Sequence, residues 1–133
     1  EVITMSGLHG RLVNVEVRNE TWEELQLDAL ALDSESWDGE WFVPIRIEPR
    51  SAVTLRATDS RDGAVQNACD VTYLIAGDPD RPVYLHIQVD DDPEVPDVVE
   101  VWTPPICRAR VGRETGSGSL EVEVSPVRRT RVA

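Results

Sequence analysis

Short stretches in which apolar and polar residues alternate recur along this chain. A period of two residues is typical of a β-strand with one buried and one solvated face. The clearest such stretches are residues 13–17, 53–57, 71–75, 83–89 and 120–124. Weaker runs of the same kind are 25–32, 42–47, 98–102 and 107–111. Of these, 25–32 also contains good helix formers, so it leaves a short helix open as the alternative.

The spacing of these runs predicts the fold class. Short strands separated by turns rich in proline and glycine, at intervals of roughly 8 to 12 residues and without a long amphipathic helical stretch, are typical of all-β folds. We therefore expect an antiparallel two-sheet β-sandwich of about nine strands. The length of 133 residues suits one domain. We place the sandwich at residues 11–126, after a flexible N-terminal segment 1–10 and before a basic C-terminal tail 127–133.

Charge narrows the range of partners. The chain has 13 basic residues, all arginine, against 25 acidic ones, which gives a net charge of −12. This acidity repels phosphate backbones and argues against a nucleic-acid partner. No apolar run approaches the length of about 18 residues that a membrane helix needs, so we expect a chain that does not span membranes. The first ten residues lack the pattern of a signal peptide.

Residues able to carry catalysis are sparse. The chain has two histidines, His9 and His86, and no serine in the strand-turn-helix setting of a nucleophile elbow. His86 alternates with Leu85 and Ile87, which favours a surface position over a catalytic one. We therefore expect a protein that is not an enzyme and that needs no cofactor. Residues 90–97 are rich in the oxygen ligands that calcium prefers, but they do not match an EF-hand, and a solvated acidic loop is the alternative.

Two further features leave alternatives open. Cys69 and Cys107 each lie at or near the start of a predicted strand, and they form either a disulfide that closes a loop of about 39 residues or two buried apolar thiols. The triplet from Asn19 to Thr21 matches the pattern for N-glycosylation in a secretory pathway, and it equally suits a polar turn between two strands.

Four of the seven aromatic residues are tryptophan. Trp37, Trp41 and Phe42 surround one predicted turn, where exposed rings would suit a membrane interface or the face of a sugar. Alternatively, Trp41 or Phe42 closes one end of the sandwich core, which leaves Trp37 as the better surface candidate.

Spaced single residues and turns over residues 11–126 resemble those of the aegerolysin family. They are the run from Val13 to Thr21, the Gly39-x-Trp41 and Ile47-x-Pro49-x-Ser51 patterns, the polar segment 57–63 leading to Asp70-Val-Thr-Tyr73, and the closing turn and strand 115–124. The resemblance implies a small acidic β-sandwich that recognises membrane lipid headgroups, often of sphingolipids. It further implies recruitment of a larger pore-forming partner, and action at a membrane surface after secretion without a recognisable signal peptide.

One loop departs from the family pattern. Where the family carries an aromatic, cysteine-bearing stretch, this chain matches only at Tyr84 and continues into three aspartates. A protein- or glycan-binding module that docks a basic partner through the acidic segment 78–100 is therefore the alternative function. The residues that we expect to contact lipid are all aromatic: Trp22, Trp37, Trp41, Phe42, Tyr84 and Trp102.

Overall fold

The computed structural model describes residues 2–8, 14–33, 41–57, 66–90, 97–112 and 119–127. This part of the chain is all β, with eleven strands in two sheets and no helix. In chain order the strands are β1 (Val2–Leu8), β2 (Asn14–Asn19), β3 (Leu25–Asp33), β4 (Trp41–Phe42), β5 (Arg46–Ile47), β6 (Ser51–Ala57), β7 (Gln66–Ile75), β8 (Pro82–Asp90), β9 (Asp97–Trp102), β10 (Cys107–Val111) and β11 (Ser119–Pro126).

The strands form a two-sheet sandwich, which confirms the predicted fold class. The six-stranded sheet, called sheet A here, has the order β1-β9-β8-β7-β3-β5, and the five-stranded sheet B has the order β10-β11-β2-β6-β4. The inward positions of the alternating runs meet in one apolar core, which explains why those runs are strands. Its largest fully buried side chains are Tyr73, Leu25, Ile47, Leu55, Ile75, Leu85, Ile87 and Leu120.

The structure differs from the sequence-based expectation at three places. Residues 2–8, expected to be flexible, form β1, which pairs with β9 and packs Ile3 against the core. The run 42–47 is two short strands, because the chain crosses from sheet B to sheet A around Pro44, which lacks a backbone N–H for a ladder. The third difference is that β2 and β11 pair in parallel rather than antiparallel.

Several strands begin or end together at one end of the sandwich. Leu25 pairs with Ile75, Asn19 with Ser51, and Cys107 with Pro126. The connections 20–24, 48–50, 76–81 and 103–106 therefore lie side by side, and they are called the loop end below. A tight turn shapes one of them: Asp78 N–H donates to the Ile75 carbonyl, while Ala76 and Gly77 have φ values of 53° and 71°. Two positive φ values at the central positions are the mark of a type I′ hairpin turn.

Candidate functional site

An apolar cleft of about 360 Å³ opens at the loop end. Its walls come from the connections 20–24 and 103–106, from the ends of β7 and β11, and from the start of β10. The lining residues are Thr21, Trp22, Glu23, Ile75, Ile106, Cys107 and Pro126. Trp22 at its rim is 76% exposed, and Ile106 is also exposed. Because exposed indole and isoleucine side chains adjoin an apolar recess, this end is suited to bind an apolar group.

Asn19 fixes the connection that presents Trp22. Its fully buried side chain donates from Nδ2 to the carbonyl oxygens of Glu23, Ile47 and Glu48 at 2.8, 3.1 and 3.2 Å. Its Oδ1 accepts from the backbone N–H and the hydroxyl of Thr21 at 3.0 and 2.6 Å. In the folded protein these contacts leave no room for a glycan on the amide nitrogen. The triplet from Asn19 to Thr21 is a polar turn here.

Charged side chains around the cleft are paired. Arg81 binds Glu23 at 2.6 Å and Asp78 at 3.0 Å. The N–H of Asp80, and after it the Arg81 guanidinium, holds the pKa of Asp78 below its usual range. On the other side, Arg50 pairs with Glu20 at 3.4 Å, and its guanidinium carbon lies 5.0 Å from the centroid of the Trp22 ring. The apolar cleft is therefore bordered by ion pairs on both sides.

A second cluster lies on the outer face of sheet A. Asp70 Oδ1 accepts from the Tyr84 hydroxyl at 2.5 Å and lies 2.6 Å from His86 Nδ1. His86 is opposite both Asp70 and Glu100 in the strand register, and Tyr84 is opposite Trp102. His86 therefore has the outward orientation expected from the sequence, while its contact with Asp70 depends on a register that alternation does not reveal.

Ionisation of Tyr84 tests this cluster. The hydrogen bond to Asp70, together with partial burial and the charges of Asp70 and Glu100, raises the pKa of Tyr84 to about 12, and burial raises that of Tyr73 further. Because the pKa of each tyrosine is higher in the folded than in the unfolded chain, the protonated phenols stabilise the fold. This stabilisation is complete below the unfolded pKa of about 10, and it is lost as the pH rises through the folded pKa. The chain has only two tyrosines. We expect little tyrosinate absorbance at 295 nm at pH 10.5 in the native protein and strong absorbance in urea at the same pH.

The substitution Asp70→Asn assigns this signal. Removing the carboxylate charge is expected to start the native tyrosinate transition about one pH unit lower, because the neutral amide no longer disfavours the phenolate. Circular dichroism at each pH establishes that the fold persists. Equal tyrosinate in native and unfolded protein at pH 10.5, or an unchanged transition in the variant, contradicts the geometry of the cluster.

The structure does not bring the six aromatic candidates together. Trp22 lies at the loop end, whereas Tyr84 and Trp102 are cross-strand neighbours on the outer face of sheet A. Phe42, 56% exposed, lies in sheet B. Trp41 pairs with Ala57 through its backbone, and its side chain is outside the described part of the chain. Trp37, residues 91–96 of the acidic stretch 90–97 and the tail beyond residue 127 also lie outside the described residues.

Both cysteines are free and buried in this structure. Cys69 belongs to β7 in sheet A and Cys107 to β10 in sheet B, where its side chain forms part of the cleft wall. Burial, and secondarily the charge of Asp70, raises the pKa of the Cys69 thiol to about 12, and burial also raises that of Cys107. Since the thiolate is the reactive form, both thiols behave as small apolar groups at neutral pH.

The sequence pointed to Trp22, Thr21 and Cys107 separately, but it did not place them together or point to the apolar residues beside them. Ile75, Ile106 and Pro126 meet only through the pairing of strands that are distant in sequence. Within the described ranges, no group of three or more histidine, cysteine, aspartate or glutamate side chains is arranged to hold a metal ion. The same ranges contain no helix long and apolar enough to cross a membrane. No family model matches the chain, and no curated protein matches it significantly.

Proposed function

We propose that this chain is a non-enzymatic lipid-recognition module that contacts a membrane surface with its loop end. The observation that carries the proposal is the exposed indole of Trp22 at the rim of the apolar cleft. Tryptophan favours the membrane interface, because its ring is apolar while its N–H remains hydrated. Exposed Ile106 and Val127, joined by a backbone hydrogen bond of 2.9 Å, enlarge the apolar surface next to it.

The charges of the loop end select the type of lipid. Glu20, Glu23 and Asp78 outnumber the two arginines with which they pair. A net negative surface is repelled by anionic headgroups within a Debye length of about 8 Å at physiological salt. The proposed target is therefore a membrane of zwitterionic lipid. The resemblance to aegerolysins adds sphingolipid as the first headgroup class to test and a larger pore-forming protein as the partner to be recruited.

Vesicle co-sedimentation at physiological salt tests the proposal. The vesicles are phosphatidylcholine alone, phosphatidylcholine with sphingomyelin and sterol, and phosphatidylcholine with phosphatidylserine. We expect saturable binding to a zwitterionic composition and weaker binding when phosphatidylserine is present. Trp22→Ala removes an exposed ring without opening the core, and it is expected to weaken binding at least tenfold.

Phe42→Ala is the matched control, since it removes another exposed aromatic ring from a different sheet. We expect this variant to bind like the unmodified protein. Failure to bind any of the three vesicle types overturns the proposal. Equal binding by the Trp22→Ala variant and the unmodified protein removes the loop end as the contact surface.

A further inference from the structure

The outer face of β7, β8 and β9 carries a cluster of aromatic and acidic residues that the lipid proposal does not use. Two rows of cross-strand neighbours define it, and they are called the sheet A patch here. One row is Thr72, Tyr84 and Trp102, and the next row is Asp70, His86 and Glu100. Residues two apart on one strand are separated by about 6.6 Å, so the aromatic row adjoins the acidic row.

Among the residues that the structure describes, the sheet A patch contains the carboxylates of Asp70 and Glu100 and no arginine or lysine. None of the three strands contains an arginine, and the chain has no lysine. No ion pair joins Glu100 to another residue in the described ranges, although its charge acts on Tyr84. Asp70 is held in place by the Tyr84 hydroxyl and the His86 ring. Sheet B differs in this respect. On the outer face of β2 and β11, Arg18 lies among three glutamates and forms ion pairs with two of them, Glu16 and Glu121.

Aromatic rings next to carboxylates are suited to a planar cation. A guanidinium stacks on the face of an indole or phenol while its N–H groups donate to a carboxylate, which a spherical ammonium does less well. Trp102 is 38% exposed, so its ring is accessible at the end of the aromatic row. The chain already uses this combination within itself, because Arg50 lies over Trp22 and binds Glu20 at the loop end.

We propose that the sheet A patch binds an arginine side chain of a partner protein, with Glu100 as the main acceptor and Trp102 as the stacking surface. Tyr84 and His86 orient Asp70, which supplies further negative charge. The occupant is an arginine-bearing segment exposed on that protein, because the carboxylates of Asp70 and Glu100 attract a guanidinium and repel a phosphate. This proposal does not depend on the lipid-binding function of the loop end, which lies on other residues.

Peptide titration followed by two-dimensional ¹H–¹⁵N NMR tests this surface. The probes are tri-arginine and tri-lysine peptides with blocked termini, at physiological salt. We expect saturable shifts of the amides of β8 and β9 and of the Trp102 indole, with an affinity for tri-arginine at least fivefold higher than for tri-lysine. Glu100→Gln is expected to weaken tri-arginine binding at least fivefold, and Trp102→Leu at least threefold.

The control for net charge is Glu123→Gln, which removes one carboxylate from the outer face of sheet B. It is expected to leave the affinity within twofold of the unmodified value. Amide spectra of each variant establish that the sandwich is folded. If Glu100→Gln does not fold, Trp102→Leu provides a second variant for the test. Four outcomes would each overturn the proposal. Two concern affinity: equal losses in Glu100→Gln and Glu123→Gln, or equal affinity for both peptides. The others are displacement of the peptide by equimolar phosphocholine and the absence of saturable shifts at millimolar peptide.

Discussion

Replacing Asn19 with alanine is expected to reduce the free energy of unfolding by about 3 kcal/mol. The Asn19 amide donates to three backbone carbonyls, and its oxygen accepts two hydrogen bonds from Thr21. Because Asn19 is fully buried, its substitution leaves these backbone and hydroxyl groups without a hydrogen-bond partner in a place that water does not readily reach, which costs free energy. Since small domains have net stabilities of about 5–15 kcal/mol, this one side chain accounts for a substantial part of the total.

Urea denaturation followed by tryptophan fluorescence measures the effect of Asn19→Ala. Asn14→Ala is the matched control, because Asn14 lies at the other end of the same strand and is only partly buried. Asn19→Asp is expected to destabilise the fold to a similar degree, since a carboxylate retains the acceptor for Thr21 but faces three carbonyl oxygens without a donor. A loss below about 0.5 kcal/mol in Asn19→Ala contradicts the role assigned to this side chain.

Replacing Leu85 with alanine is expected to cost about 2–5 kcal/mol. Leu85 is fully buried in β8, whose neighbours on both sides, β7 and β9, are also paired along their length. Truncation therefore leaves a cavity that neighbouring strands cannot close by moving together, and the cost includes both lost transfer energy and the cavity.

Leu30→Ala makes the same chemical change at a position that is 43% exposed in β3. We expect it to change the free energy of unfolding by less than about 1 kcal/mol. Comparison of the two urea midpoints separates burial from any general effect of losing a leucine. Similar costs at both positions contradict the assignment of Leu85 to the centre of the core.

Alternation was sufficient to predict the strands with one clear inward face. Val15 and Val17 in β2, and Leu85 and Ile87 in β8, are buried as their spacing indicates. The segment 25–32 is a strand despite its helix formers, because pairing with β7 and burial of Leu25 outweigh intrinsic propensity. The strand β1 was not predicted, since its stability comes from pairing with β9, far away in the chain, rather than from a strong local pattern.

The candidate sites required information that a single sequence does not contain. Asp70 and His86 both alternate with buried neighbours, so their outward orientation follows from the pattern, but their contact follows from the register of β7 against β8. The cleft combines residues from two connections and three strands. The order of strands in the two sheets brings the lining residues together. Alternation does not predict this order, because it specifies which face of a strand is buried and not which strands are its neighbours.

The parallel pairing of β2 with β11 has a consequence for biosynthesis. These partners are far apart in the sequence, because Val15 pairs with Leu120, 105 positions later. During translation, β2 emerges from the ribosome long before the strand that completes its hydrogen bonds, and sheet B stays open until β11 has been made. We therefore expect nascent chains that stop before residue 119 to expose the edge of β2 and to be more prone to aggregation than the released protein.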